Sequence, residues 1–479
     1  MALFWHRRDL RLADNVGLDA ATGEEPTVPV FVLDRAVLDH ASPPRVAFMC
    51  DALASLRSAY RDRGSDLLIA RGDPREVLPD LAREHGADRV VWNRDYSGLA
   101  RERDAAVRQA LEAAGIARAS HHDAIHHEPG SITTNDGEIY SVFTYFGRKW
   151  HDRPKDDPID PPEDDDLATI EGDPGDPPTV SGLGFDAPEA DIPEATTAAA
   201  RERLHAFCAG PIYEYDERRD YPAEDRTSRL SAHLKWGTIG PREVYAATDE
   251  AHADASEAHV DVGDAPADAE AARESVEEFQ SQLAWREFYT HVLWDRPDVV
   301  AANYKDYENA IAWREDPEAL QAWKDGETGY PIVDAGMRQL RREAFMHNRV
   351  RMIVASFLTK DLLIDWRKGY DWFRRKLVDH ETANDNGGWQ WAASTGTDAQ
   401  PYFRIFNPMT QGERYDSDAE YIAEYVPELA GVPADAVHSW HELDQGTRRM
   451  HAPEYPDPIV DHAERREEAI AMFEAARGE

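Results

Sequence analysis

Short apolar runs and helical spacings alternate along the first quarter of the chain. Residues 2–6 (ALFWH), 28–33 (VPVFVL), 66–69 (DLLI) and 89–92 (RVVW) have strand length. Between them Val46, Met49, Leu53, Leu56 and Tyr60 recur at helical spacing, as do Val107, Ala110, Leu111 and Ala114. Asp73-Pro74-Arg75-Glu76 predicts a helix start, with Asp as cap, Pro at the first helical position and Glu at the third. This alternation predicts an α/β domain over 1–130, a doubly wound parallel sheet. No GxGxxG follows any strand, so the usual dinucleotide fingerprint is missing.

From about residue 200 the pattern is helical alone. Val333, Met337, Leu340 and Ala344 mark one face, and Val350, Val354, Phe357 and Leu358 mark another. A larger all-α domain is predicted over 201–475. Between the two, over 131–200, the chain turns acidic and proline-rich (RPKDDPIDPPEDDD, EGDPGDPP), which predicts a linker with little order of its own. A second acidic insert over 250–270 is predicted as a surface loop.

Charge changes the picture more than composition does. Asp and Glu number 93 against 53 Lys and Arg, a net charge of -40. Self-repulsion of that size calls for screening, and the Debye length falls to about 3 Å at 1 M salt. The acids are spread along the chain rather than gathered in one tail, so they predict a protein of a salt-saturated, halophilic cytoplasm. Any basic groove must then be local. Cys50 and Cys208 are too few for a disulfide framework, and no apolar run has membrane-spanning length.

Candidate chemistry gathers in residues 379–391, DHETANDNGGWQW. Two acids (Asp379, Glu381), an Asn-Asp-Asn turn, a glycine pair and two indoles (Trp389, Trp391) predict the wall of a site for a flat aromatic ligand. In DRTSRLS (225–231), Thr227, Ser228 and Ser231 could hold phosphate oxygens at a helix start, and would serve equally as plain caps. Gln282, Trp285 and Tyr289 share a helix face beside Arg286, as in an amphipathic core helix. In MHNRVRM (346–352), Asn348 and Arg351 share one face while Arg349 points elsewhere. Arg404 stands among aromatics in PYFRIFNP, a setting for phosphate contact with base stacking or for a structural stack. His121, His122, His126 and His127 match no compact metal site, and no nucleophile elbow is present.

Taken together these stretches resemble the photolyase/cryptochrome family, on its branch that splits cyclobutane pyrimidine dimers. The resemblance runs from FWHRRDLRLADN (4–15) through TSRLSAHLKWGTIGPREVY (227–245), QLAWREFY (282–289) and TGYPIVDAGMRQL (328–340). It continues through FMHNRVRMIVASFLTKDLLIDW (345–366) to NGGWQWAASTGTDAQPYFRIFNP (386–408). It implies a lyase that repairs UV-damaged DNA with light, an antenna pigment on the α/β domain and FAD in the helical domain. Tyr215, Thr227, Ser228, Leu230, Ser231, Arg286 and Asn348 match positions that hold FAD, its pyrophosphate above all. Arg351 and Asp379 match an ion pair beside the flavin ring, and Glu381 stands where the family usually has Asp. Trp389, Trp366 and Trp313 match an electron-carrying tryptophan chain. Trp285, Trp391 and Met352 match the lesion pocket, and Arg349 and Arg404 match contacts to the DNA backbone. A monomer without membrane association is expected.

Three further positions depart from the family pattern. Gln282 replaces a Glu that accepts hydrogen bonds from the lesion; glutamine keeps an acceptor but is uncharged and adds donors, so repair is expected to survive with altered efficiency. Asp385 replaces an Asn facing flavin N5 and matches plant-type cryptochromes; a buried carboxyl there is expected to have a raised pKa and to supply a proton to N5. A blue-light receptor is therefore the alternative function. Ser97 replaces a Glu of one folate-binding pattern, which favours 8-hydroxy-deazaflavin over methenyltetrahydrofolate as antenna.

Overall fold

The computed structural model describes residues 1–257, 261–262, 265–266 and 269–479. Its sheet is built from β1 (Ala2–His6), β2 (Thr27–Leu33), β3 (Leu68–Arg71), β4 (Arg89–Asn93) and β5 (Ala117–His121). All pairs are parallel, in the order β3-β2-β1-β4-β5. Chain order reverses between β1 and β4, which makes that edge the switch point of a doubly wound sheet. Parallel strands covered on both faces read as continuous apolar runs, and β1 and β2 are buried at every residue. β5 was not predicted. Its sequence, ARASH, lies at the sheet edge with no fully buried residue, so no apolar run marks it.

The helices between strands fall where the spacing predicts, at Pro43–Arg61, Pro74–Glu84 and Gly98–Ala113. Asp73 caps the second as expected, its side chain accepting the Arg75 N–H. Leu3, Trp5, Val28, Val30, Val90, Trp92, Leu78 and Leu111 close the core around the sheet. Each such side chain contributes about 1.5–3 kcal/mol by leaving water.

Residues 131–200 are more ordered than their composition predicts. They contain the helix Phe143–Asp152 and 3-10 turns at Asp164–Asp166 and Ser181–Leu183. The acidic stretch is pinned to the sheet side by hydrogen bonds: Ala168 N–H donates to Thr27 O (3.0 Å), Ser65 Oγ to Ala168 O (2.7 Å) and Arg57 to Gly175 O (2.6 Å). Of the insert at 250–270, the helix Pro241–Glu257 covers the start and the helix Ala269–Asp295 begins at the end. Residues 258–260, 263–264 and 267–268 of that predicted loop lie outside the described residues.

Contacts gather the chain into two compact units. The first holds Met1–Pro188, Ile192–Asp216 and Thr227–Pro297, and so the sheet together with the helices Thr197–Cys208, Ser231–Trp236, Pro241–Glu257 and Ala269–Asp295. The second holds Glu189–Asp191, Glu217–Arg226 and Asp298–Glu479. It is helical, with a core of Trp323, Tyr330, Val350, Val354, Phe357, Trp366, Phe373 and Trp389. Composition divides the chain at 130 and 200, whereas contacts keep residues 227–297 with the sheet.

Candidate active site

Within the second unit the stretch 379–391 enters a helix, Thr382–Ala392. The Asn-Asp-Asn turn expected from local propensity is part of that helix. Tertiary hydrogen bonds override the propensity: Asn386 Nδ2 and Gln390 Nε2 both donate to Val299 O (2.9 and 2.8 Å), and Gln390 Oε1 accepts the Tyr304 N–H (2.8 Å). Asn384 is occupied as well, donating to Glu381 Oε2 at 2.9 Å. With this helix fixed, Asp385 and Trp389 lie four residues apart on one face. A Cβ built on Gly388 meets no atom within 4 Å, so the space beside it is open.

Arg351 is the hub of the charged part of the site. Its Nη2 donates to Asp379 Oδ2 (2.7 Å), its Nε donates to Met346 O (2.8 Å), and its Nη1 lies 3.7 Å from Asp385 Oδ1. Burial opposes the Arg351 charge, but Asp379 and Asp385 outweigh it and raise its pKa. The predicted ion pair of Arg351 with Asp379 is therefore formed. Asp379 is buried, and its Oδ1 accepts no hydrogen bond among the described residues. Asp385 is flanked by cationic and donor groups rather than by further negative charge: Arg351, and His380 Nδ1, which is hydrogen-bonded to Asp385 Oδ2. His380 is buried and was not singled out from the sequence, although it stands between Asp379 and Glu381.

The three predicted tryptophans differ in setting. Trp389 is buried with its ring edge-on to Phe373 (5.0 Å) and Trp323 (6.1 Å). Trp366 is buried at the start of the helix Trp366–Lys376, donating its indole N–H to Asn303 Oδ1 (3.0 Å). Trp313 is half-buried against Phe473 (5.9 Å). Gly369 lets the Trp366 helix lie against Trp389, because a Cβ there would sit 2.1 Å from Trp389 Cη2. A glycine inside the helical pattern WRKGYDWF was the available signal.

Arg349 leaves the Arg351 face, as its spacing predicts. It pairs with Asp220, and its guanidinium lies 4.4 Å from the Tyr415 ring. Asn348 opens the helix Asn348–Ser356 and is exposed, Met352 is half-buried on the same helix, and Arg404 is exposed beside the 59% exposed Phe403. Trp391 is half-buried, 6.5 Å from Phe406.

The remaining predicted residues belong to the first unit. Thr227, Ser228 and the buried Leu230 precede the helix Ser231–Trp236, and the Leu230 N–H donates to Ser228 Oγ (3.4 Å). Tyr215 packs edge-on against Phe279 (5.3 Å). Arg286 is tied to the backbone, donating to Ala124 O and Leu234 O. Trp285 lies flat on Phe143, rings 3.8 Å apart at 10°. Gln282 donates to Glu278, one helical turn before it. Glu287, next to Arg286 on the same helix, is buried and accepts the backbone N–H groups of His126 and His127, both at 2.8 Å. Burial pushes the Glu287 carboxyl up to about 7. It also pushes His126 down to about 3, helped by nearby cations. Among the described residues no group of three or more His, Cys, Asp or Glu is placed to hold a metal ion.

Known proteins resemble the chain along its whole length. A family profile described as DNA photolyase matches residues 2–163, and one described as the FAD binding domain of DNA photolyase matches residues 279–475. A deoxyribodipyrimidine photo-lyase of Halobacterium salinarum is 64% identical over 100% of both chains. The crystal structure of a bacterial class III photolyase from Agrobacterium tumefaciens is similar with a TM-score of 0.88 at 36% identity, covering 100% of this chain and 98% of that one. An archaeal photolyase from Sulfolobus tokodaii, solved with two FAD molecules, is similar with a TM-score of 0.82 at 32% identity, covering 99% of each chain.

Proposed function

The chain belongs to the DNA photolyase family, and from that membership we propose the roles of its individual residues in the light-driven repair of cyclobutane pyrimidine dimers in DNA. The observation that carries these roles is the Arg351–Asp379 pair with its unpartnered Asp379 Oδ1, set beside Asp385 on the helix of Trp389 and Trp391. A buried carboxylate oxygen without a donor fits the imide N–H of a flavin ring. FAD, held here in its reduced form, would supply light-driven one-electron chemistry to the dimer.

The protein supplies placement. Arg351 and Asp379 would hold the flavin ring, while Thr227, Ser228, Ser231, Tyr215, Leu230, Arg286, Asn348 and Glu381 would hold the rest of FAD. A dimer cannot be reached inside a duplex, and extruding it costs a few kcal/mol. Stacking returns about 1–3 kcal/mol per base. Trp285 and Trp391 give that stacking, Met352 adds an apolar contact, and Gln282 meets the polar edge of the lesion. Arg349 and Arg404 hold phosphates on either side. Trp389, Trp366 and Trp313 would pass electrons inward from an external reductant, such as a thiol, to an oxidised cofactor. Asp385 holds a proton position at its carboxyl, shared with His380 Nδ1.

The antenna reading stays with 8-hydroxy-deazaflavin. Ser97 Oγ accepts the Ala100 N–H and caps the helix Gly98–Ala113, a structural use of the position where one folate pattern has Glu. An absorption spectrum of the purified protein tests the pigment. Repair is tested by blue-light loss of dimers from UV-irradiated DNA, against a dark control. Loss equal to the dark control would return the chain to the blue-light receptor reading that Asp385 allows.

A further inference from the structure

A pyrimidine dimer presents imide N–H groups, so the side chain that meets them has to show an acceptor. Glutamine is ambivalent, since its amide carries an acceptor oxygen on one arm and two N–H donors on the other. Which arm faces the lesion depends on what holds the opposite arm. Here Gln282 Nε2 donates to the Glu278 carboxylate at 2.8 Å and to the Glu278 backbone carbonyl at 3.3 Å. A carboxylate only accepts, so it selects one of the two amide flips; the reverse flip sets oxygen against oxygen. Among the described residues Gln282 Oε1 accepts no hydrogen bond.

We infer that Glu278 is a positioning residue of the repair site, locking the Gln282 amide so that its oxygen is the group shown to the dimer. The inference rests on the placement of Gln282 at the lesion proposed above. Glu278, Gln282, Trp285 and Tyr289 lie along one face of the helix Ala269–Asp295, and Trp285 and Tyr289 have ring centroids 5.6 Å apart. Glu278 thus extends the lesion-side stripe by one turn. It gives glutamine the acceptor-only character of a carboxylate while keeping the negative charge one turn from the bound DNA. The two residues work as a pair that neither motif nor spacing shows when each is read alone.

The test uses the full-length, FAD-loaded protein, an oligonucleotide with a single thymine dimer, and the same oligonucleotide undamaged. Glu278→Ala is expected to weaken dimer binding by roughly three- to tenfold, one hydrogen bond's worth, with binding of undamaged DNA unchanged. Adding Gln282→Glu to Glu278→Ala is expected to restore the dimer preference, because a carboxylate shows an acceptor in either flip. A dimer preference unchanged in Glu278→Ala but lowered in Gln282→Ala overturns the role of Glu278 and leaves Gln282 at the lesion. A preference unchanged in Gln282→Ala overturns the placement of Gln282 itself, and the role of Glu278 with it. Equal loss on both DNAs in Glu278→Ala, with no rescue in the double variant, also overturns the inference. The FAD absorption of each variant verifies that it folds.

Discussion

Gly369 decides how near the Trp366 helix comes to the indole of Trp389. Gly369→Ala places a methyl group 2.1 Å from Trp389 Cη2, and the ring or the helix has to give way. Overpacking of this kind costs about 1–3 kcal/mol. A lower thermal midpoint is expected together with slower blue-light reduction of oxidised FAD, because the ring that moves is the proposed inner member of the electron chain. Unchanged photoreduction at lowered stability would place Trp389 outside that chain. Asp385 makes a second prediction at this scale. Its carboxyl lies between Arg351 at 3.7 Å and His380, whose Nδ1 is hydrogen-bonded to it. Asp385→Asn is expected to change the visible absorption of bound FAD under illumination and to leave the dark spectrum unaltered. Matching illuminated spectra would remove Asp385 from any proton transfer. The pairing of Asp379 with Arg351 was legible because a buried carboxylate needs a partner and Arg351 was the cation singled out for it. His380 and Asp220 were not, since each acts through a partner distant in sequence or hidden by a stronger neighbour.

At the scale of elements, one helix carries both the residues proposed for recognition and an anchor. Ala269–Asp295 presents Gln282 and Trp285 on one side and buries Glu287 on another, where it clamps the backbone of His126 and His127. Burial raises the Glu287 carboxyl from 4.5 to about 7. Between those two values the folded chain keeps a proton that the unfolded chain has released. Stability should therefore fall as pH rises from 4.5 to about 7 and level off above it, by an amount on the order of a few kcal/mol. Glu287→Gln should flatten that slope in denaturant titrations across the same window, at a lower absolute stability because glutamine offers one acceptor to two N–H donors. A slope unchanged in the variant would assign it to other buried acids, such as Asp334, which burial raises to about 6. The helices between the strands and four of the five strands were legible from period and apolar runs. β5 and the helical course of 384–386 were not, because an edge strand needs no apolar run and because Asn386 and Gln390 take their conformation from the Val299 carbonyl.

For the whole molecule, charge is the property that sequence shows best and geometry explains least. A net charge of -40 spread over the chain repels itself in dilute buffer. Acidic stretches such as 156–166 nevertheless pack against the sheet side, where Arg63 pairs with Asp164 (3.2 Å) and donates to Pro162 O (2.8 Å). Composition therefore misled on order while informing on solvent: the acids that suggested a loose tether lie on a packed segment whose repulsion salt has to screen. At 0.1 M the Debye length is about 10 Å, enough for neighbouring surface acids to repel, and at 1 M it is about 3 Å. The thermal midpoint should rise as KCl is raised from 0.1 M to molar levels, by roughly 2–4 °C for each kcal/mol of repulsion relieved in a domain-sized unit. DNA binding should behave differently. Counterion release weakens as bulk salt rises, so affinity for undamaged DNA should be low at molar salt. Affinity for dimer-containing DNA should be carried there by stacking on Trp285 and Trp391, which salt does not screen. Titrating both DNAs against KCl separates the two contributions. A dimer affinity that keeps falling steeply above 1 M, in parallel with undamaged DNA, would mean that Arg349 and Arg404 rather than the indoles carry recognition.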